Sequence, residues 1–179
     1  MQGFDPTRPA HQGPEEFLDT SWEMFGELCR ALALRVARDY QPDVVMGIAR
    51  TGAIPGAVVA CILQADFYSI KISRKDDDEV VRDRPAVFSD VPMEVRGKRV
   101  LIVDEISSSG DTLRVALAAV RAAGPAEVRT AVSFVRPRGY QPNYYALETD
   151  ATIIFPWDRK VIEGESLIVN PRYDGVVEE

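Results

Sequence analysis

The sequence predicts an α/β protein whose mostly parallel sheet is flanked by helices. Short apolar runs at 43–48 and 100–103, and a further strand-like segment at 128–135, alternate with segments in which apolar residues recur at helical spacing. Continuous apolar runs are typical of strands that are buried on both faces, as in parallel sheets. Their alternation with helical segments indicates βαβ units. The length of 179 residues suits a single domain.

The predicted elements follow one another in a regular order. Helical spacing of apolar residues predicts a first helix within 17–40, which Asp19, Thr20 or Ser21 would cap. The remaining predicted elements are strands at 43–48, 66–72, 100–103, 128–135 and 151–155, and helices at 54–63 and 111–123.

Three segments depart from this pattern. Residues 1–16 are rich in Pro and Gly and form a loose lead-in. Residues 73–98 are too long for a simple connection, so we expect a mobile loop or an excursion that carries a short hairpin. The tail at 157–179 has little periodicity, and we expect it to fold over one end of the sheet.

The composition argues against several classes of function. A net charge of -7 disfavours a nucleic-acid partner, because nucleic-acid-binding surfaces are basic. Cys29, Cys61 and His11 lack metal-ligand spacing, so neither a zinc site nor a disulfide framework is expected. No segment reaches the roughly 18 apolar residues of a membrane span, and residues 1–20 lack the apolar core of a signal peptide. The expectation is a cytoplasmic protein with no membrane partner.

The most specific pattern is an apolar strand that ends in two acids, Asp104 and Glu105, before a small-residue turn opens a helix. Backbone N–H groups, hydroxyls and a helix N-terminus together suit a phosphate monoester. Two carboxylates beside such a turn suit vicinal hydroxyls or a divalent metal, so a ribose 5-phosphate fits this pattern. The alternative is a capped helix after a buried strand, with two solvated acids.

This segment resembles the signature with which type I phosphoribosyltransferases bind phosphoribosyl pyrophosphate (PRPP). The resemblance implies the type I phosphoribosyltransferase fold, with a core at about 43–158, a small hood from about 1–20 and 157–179, and a flexible loop at about 73–98. It implies that Asp104 and Glu105 face the ribose hydroxyls, and that Glu105 also binds Mg²⁺. The 5-phosphate would be held by Ser107, Ser108, Ser109, Gly110, Asp111 and Thr112.

Two further segments resemble the pyrophosphate-binding parts of the same family. Residues 47–53 follow the first core strand, and the resemblance implies that Arg50, Thr51 and Gly52 hold the pyrophosphate, with Arg50 also counted as catalytic. Lys71 and Arg74, at the start of the flexible loop, would contact the same group. For Arg50, Lys71 and Arg74 the alternative is a solvated cation.

The end of the chain resembles the bacterial and archaeal 6-oxopurine branch. Arg136 stands where that branch has a basic residue that reads the exocyclic oxygen of the purine. The resemblance also implies that backbone groups of Ile153 and Ile154, just before the Pro-Trp-Asp motif, pair with the base. Asp158 would help to hold a second magnesium, whereas the ring of Trp157 is assigned to packing.

The match departs from this branch at two places. Ser108 replaces the usual general acid/base Asp, so Asp111 or bulk water would have to take up the proton, and Thr152 replaces the stacking aromatic residue.

The resemblance implies an enzyme that transfers the phosphoribosyl group from PRPP to a nucleobase, with a 6-oxopurine preferred, and releases pyrophosphate. Mg²⁺ bound with PRPP is the implied cofactor, and a homodimer or higher homo-oligomer is the implied assembly. The alternative is a regulatory protein that senses PRPP or a nucleotide without turnover.

Overall fold

In the computed structural model, which describes residues 16–76, 79–80 and 83–177, helices and strands alternate along much of the chain. The helices are α1 (Trp22–Ala37), α2 (Ala53–Leu63) and α3 (Asp111–Ala122). The strands are β1 (Phe17–Asp19), β2 (Val44–Ala49), β3 (Asp66–Ser73), β4 (Lys75–Asp76), β5 (Glu79–Val80), β6 (Ala86–Val87), β7 (Arg99–Ser107), β8 (Glu127–Val135), β9 (Tyr144–Glu148), β10 (Thr152–Ile154), β11 (Lys160–Glu163) and β12 (Ser166–Val169). None of the helices in these ranges is long and apolar enough to cross a membrane.

The larger sheet of the described residues has six strands in the order β6–β3–β2–β7–β8–β9. All neighbours are parallel except β6, which is antiparallel to β3. Met46 and Ile48 of β2 pack in one apolar cluster with Leu113 of α3, whereas Gly47 meets Ala53 of α2. Because successive side chains of a strand point to opposite faces, α2 and α3 cover opposite faces of the sheet. The predicted α/β class, with a mostly parallel sheet flanked by helices, is confirmed.

The structure differs from the sequence prediction at four places. Residues 17–19 form β1, so the first helix begins at Trp22, and Ser21 Oγ accepts a hydrogen bond of 3.1 Å from the backbone N–H of Met24. β7 continues through both acids to Ser107. β9 was not predicted from the sequence. The predicted last strand, β10, pairs with β1 instead of joining the larger sheet.

The described residues fall into two compact units, 27–149 and 16–26 with 150–177. The first unit contains the six-stranded sheet. The second contains the β1–β10 pair and an antiparallel hairpin of β11 and β12, which lies in a tail for which no strand was predicted. In the long excursion, β4 and β5 form a short antiparallel pair. Most of the lead-in, residues 1–15, lies outside the described residues, and so do 77–78 and 81–82 of the excursion.

Candidate functional site

Asp104 and Glu105 lie on the inner strand β7, near its carboxyl end. Asp104 is 7% exposed, and its Oδ1 accepts a hydrogen bond of 3.0 Å from the backbone N–H of Glu105. Burial raises the pKa of Asp104, and the adjacent carboxylate of Glu105 raises it further. Glu105 Oε2 is buried, and none of the described residues donates a hydrogen bond to it. Buried acids with an unsatisfied oxygen destabilise a fold, so such groups are candidates for a ligand site.

The loop after β2 lies directly against these acids. β2 and β7 are parallel neighbours, so both strands end at the same edge of the sheet. A Cβ atom at Gly52 would lie 2.5 Å from Asp104 Oδ1 and 2.7 Å from the carbonyl oxygen of Ile48. Only glycine leaves room for this approach. The structure therefore brings together two segments that the sequence separates by about fifty residues.

The side chains of this loop are open to solvent. Arg50 is exposed and Thr51 is half-buried. The peptide bond between Ala49 and Arg50 is cis. Lys71 is exposed on β3 in register with Ala49, and its Nζ lies 5.7 Å from the ring centroid of Phe88. Arg50 and Lys71 thus provide cations beside the carboxyl end of β2.

The loop after β7 is bound by the loop that follows β8. The carbonyl oxygens of Ser107 and Ser108 accept backbone hydrogen bonds from Arg136, at 3.0 Å, and Tyr140, at 2.8 Å. Ser107 Oγ donates to the carbonyl oxygen of Tyr140 at 3.0 Å. Gly110 has a φ of +77°, and a Cβ atom there would overlap Cβ and Cγ of Tyr140. These contacts define the conformation of the small-residue turn just before α3.

Asp111, the first residue of α3, is bound by cations. Its Oδ2 accepts hydrogen bonds from Arg74 Nη2 at 2.7 Å and Ser109 Oγ at 3.1 Å, and its Oδ1 lies 3.4 Å from Arg114 Nη1. Two guanidinium groups thus offset the negative charge of Asp111 at the N-terminus of α3. Arg74, which we predicted to bind pyrophosphate, contacts the predicted 5-phosphate loop in this structure, and half-buried Thr112 follows Asp111 on the first turn.

Arg136 lies just beyond the carboxyl end of β8, at the same edge of the sheet as the acids. Its backbone N–H donates to the carbonyl oxygen of Ser107, and its Nη1 donates to the carbonyl oxygen of Thr149 at 3.1 Å. The side chain of Arg136 is thus held by the chain that leaves β9.

The remaining predicted residues belong to the second unit. Ile153 and Ile154 are buried on β10, and the Ile154 carbonyl oxygen accepts hydrogen bonds from both the N–H, at 3.0 Å, and the Oγ1, at 2.7 Å, of Thr20. A contact with a base would therefore need other backbone groups of this segment. Asp158 Oδ2 accepts a hydrogen bond of 2.6 Å from the hydroxyl of Tyr173.

The aromatic residues of the second unit pack against one another. The Trp157 ring stacks on Phe155, with centroids 4.7 Å apart and an angle of 14°, and it meets the edge of Phe25 at 4.8 Å. These contacts agree with the predicted packing role of Trp157. Thr152, at the place of the stacking aromatic, donates its backbone N–H to the Glu16 carbonyl oxygen at 2.8 Å.

Two residues beside the loop after β7, Arg114 and Tyr140, were missed by sequence reasoning. Arg114 donates to the carbonyl oxygen of Ser109 at 2.8 Å, and its guanidinium carbon lies 4.7 Å from the ring centroid of Tyr140. The i,i+3 spacing of Asp111 and Arg114 in a predicted helix was an available signal. No local pattern connects Tyr140 with Gly110, because the contact joins two separate loops.

Comparison with known proteins agrees with this geometry. Residues 20–164 match the phosphoribosyl transferase domain family. The chain is 27% identical over 151 residues to a xanthine-guanine phosphoribosyltransferase of Idiomarina loihiensis, a match that covers 83% of this chain and 89% of the relative. An orotate phosphoribosyltransferase of Saccharolobus solfataricus is 33% identical over 79 residues, which is 44% of this chain and 36% of that protein.

A solved structure extends the similarity to the fold. The crystal structure of a purine phosphoribosyltransferase from Pyrococcus horikoshii has a TM-score of 0.72 and 30% identity, and the match covers 83% of this chain and 99% of that one. These similarities agree with the strand that ends in two acids and with the glycine loop beside it. The chain therefore belongs to the type I phosphoribosyltransferase family, in its purine branch, and is a PRPP-dependent pentosyltransferase.

Proposed function

We propose that this enzyme transfers the 5-phosphoribosyl group of PRPP to a nitrogen of a 6-oxopurine and releases pyrophosphate. The observation that carries the proposal is the contact of Gly52 with Asp104. It joins the loop assigned to pyrophosphate to the acids assigned to ribose. In PRPP the pyrophosphate is attached to the anomeric carbon of the ribose, and the next ring carbon carries a hydroxyl. A site for PRPP therefore needs the pyrophosphate loop and the ribose-binding acids side by side.

The parts of PRPP are assigned to adjacent segments of the sheet edge. Asp104 and Glu105 would accept hydrogen bonds from the ribose hydroxyls. Arg50, Thr51 and Gly52, together with Lys71, would bind the pyrophosphate. The turn from Ser107 to Thr112 would bind the 5-phosphate through backbone N–H groups and hydroxyls. The ribose would then lie between two anion-binding loops, with its anomeric carbon facing the base.

The acid pair also fits a divalent cation. Glu105 Oε2 is buried without a hydrogen-bond donor among the described residues, and it would gain a partner from a bound ion. Among those residues no cluster of three or more His, Cys, Asp or Glu could hold a metal, so PRPP and water would supply the other ligands. Glu105 would hold this Mg²⁺, and Asp158, which belongs to the second unit, would help to hold a second magnesium. When bound, Mg²⁺ would neutralise charge on the departing pyrophosphate.

The chain's own residues would act mainly through position and charge. As the bond to pyrophosphate breaks, positive charge develops at the anomeric carbon, and Asp104, bound to the ribose hydroxyls, would help to offset it. Arg50 would offset the negative charge that grows on the leaving group. Ser108 is exposed and carries no carboxylate, so the proton of the purine nitrogen must leave by another route.

The choice of a 6-oxopurine rests on Arg136 and on the relatives. The xanthine-guanine and purine enzymes named above are both similar over most of this chain. Arg136, beyond the carboxyl end of β8, would donate to the exocyclic oxygen of the base. A 6-aminopurine presents a donor at that position and would be disfavoured. We further propose that the enzyme works as a homodimer or higher homo-oligomer in the cytoplasm.

The test is pyrophosphate release from PRPP and Mg²⁺ with guanine, xanthine, hypoxanthine, adenine, uracil or orotate as the acceptor. We expect release with 6-oxopurines, and none from a double variant Asp104→Asn, Glu105→Gln. Asp66→Asn, an exposed acid at the start of β3, is the matched control and should keep full activity. Release only with adenine or a pyrimidine would refute the 6-oxopurine assignment. Binding of PRPP without release for any base would favour the sensing alternative.

A further inference from the structure

The loop from Ser107 to Gly110 has three successive carbonyl groups bound by protein donors. Ser107 accepts from the backbone of Arg136, Ser108 from the backbone of Tyr140, and Ser109 from the Arg114 side chain at 2.8 Å. In the described residues the only cis peptide is the one between Ala49 and Arg50, so these three peptides are trans. In a planar trans peptide, the C=O and the following N–H point in opposite directions. The N–H groups of Ser108, Ser109 and Gly110 therefore point away from these donors.

The donors form a connected group. The Arg114 guanidinium lies over the Tyr140 ring at 4.7 Å, and the same ring lies against Gly110, where any Cβ would overlap it. A guanidinium above an aromatic face is attracted by the ring's negative charge distribution. Arg114 also contacts Asp111 Oδ1 at 3.4 Å. Arg114 thus contacts both ends of the turn between Ser109 and α3.

These contacts carry an inference that rests on the proposed 5-phosphate site. We propose that Arg114 and Tyr140 are positioning residues for the 5-phosphate of PRPP. They bind the carbonyl groups of Ser109 and Ser108 and so aim the N–H groups of Gly110 and Ser109 at the phosphate. Arg114 acts through the backbone and does not itself touch the ligand.

The experiment compares the two anionic parts of the substrate separately on the full chain. Calorimetry gives Kd for ribose 5-phosphate and, with Mg²⁺, for pyrophosphate. In Arg114→Gln, one charge-assisted hydrogen bond to the loop is lost, so we expect the Kd for ribose 5-phosphate to rise about tenfold. The Kd for pyrophosphate, which binds the other loop, should stay unchanged. KM for PRPP should rise with the Kd for ribose 5-phosphate, with little change in kcat.

Two conservative variants separate position from charge and from packing. Arg114→Lys keeps a positive charge near the phosphate but lacks the planar fork that contacts the carbonyl and the ring together. We therefore expect it to bind ribose 5-phosphate as poorly as Arg114→Gln. Tyr140→Phe keeps the ring and should rescue the defect that Tyr140→Leu produces. Arg121→Gln, at the exposed far end of α3, is the matched control and should bind both ligands normally.

Several outcomes would overturn the inference. Wild-type affinity of Arg114→Gln for ribose 5-phosphate would show that the contact does not position the loop. Full affinity of Arg114→Lys would assign the effect to charge alone, and an equal loss for both ligands would indicate general damage. If Arg114→Gln does not fold, the Tyr140→Leu and Tyr140→Phe pair gives the same test. A wild-type chain that binds pyrophosphate but not ribose 5-phosphate would refute the proposed site itself, and this inference with it.

Discussion

Replacing Gly52 by alanine would insert a methyl group between the pyrophosphate loop and the acid strand. The backbone of Gly52 is already in the right-handed helical region, with φ of -65° and ψ of -15°, so alanine meets no conformational penalty there. The effect is therefore steric. The new Cβ would lie 2.5 Å from Asp104 Oδ1, 2.7 Å from the Ile48 carbonyl oxygen and 2.9 Å from Asp104 Cα.

The size of the effect follows from these distances. An ordinary contact is about 3.5 Å, so the loop must move by roughly 0.6–1 Å, and two of the three neighbours are backbone atoms that cannot rotate away. Overpacking of this kind costs about 1–3 kcal/mol, which for a chain of this length lowers Tm by roughly 2–12 °C. A misplacement of about 1 Å between reacting groups costs about 10²-fold in rate. We expect kcat/KM for PRPP to fall by about that factor.

The assay is steady-state pyrophosphate release together with thermal unfolding. Gly26→Ala is the matched control, because no atom lies within 4 Å of a Cβ at this position within α1. Alanine in a helix interior is favoured over glycine by about 0.5–1 kcal/mol, so this variant should be slightly more stable and fully active. A Gly52→Ala enzyme with unchanged kcat/KM and unchanged Tm would show that the pyrophosphate loop and the acid strand are not packed as described.

Three further predictions concern other parts of the chain. Burial raises the pKa of the Cys29 thiol to about 11, whereas Cys61 is exposed. A thiol reagent at pH 8 should therefore modify only Cys61 rapidly, and rapid modification of both cysteines would contradict this. Arg129→Gln should lower Tm without changing KM for PRPP. Arg129 binds Asp39, Glu127 and Tyr144 near the start of β8, and it pairs with Leu101 of β7, three residues before Asp104. Arg30→Gln, which removes only the exposed Arg30–Glu27 pair, is the control and should leave Tm unchanged. Ser108→Asp places a carboxylate at an exposed position of the loop, where it could take up the proton of the purine nitrogen. We expect kcat with a 6-oxopurine to rise and to acquire a new pH dependence. A kcat that does not vary with pH would argue against proton transfer at this position.

The local pattern of the sequence was sufficient for the fold class and for the principal motif. The apolar runs that became β2 and β7 are buried on both faces of a parallel sheet, and burial on both faces favours continuous apolar residues. The acids at 104–105 and the small residues after them stand next to each other in the chain. Their association therefore required no long-range contact, and sequence reasoning identified it. The limits of α2 and α3 were likewise close to prediction.

Only the tertiary structure decided how separate segments meet. β9 has an alternating pattern, since Tyr144 and Ala146 are buried while Tyr145 and Leu147 are half-buried, and it is stabilised as a strand by pairing with β8. β10 pairs with β1, which lies more than a hundred residues earlier, and so does not join the larger sheet.

The candidate site shows the same division. The sequence by itself determined which residues carry acid, glycine and hydroxyl groups at strand ends. Three contacts join segments that are distant in the sequence: Gly52 with Asp104, the ion pair of Arg74 with Asp111, and Arg114 over the ring of Tyr140. Such contacts depend on the register of parallel strands and on the path of the connecting loops. A local pattern of residues specifies neither, because both are set by the packing of the whole sheet.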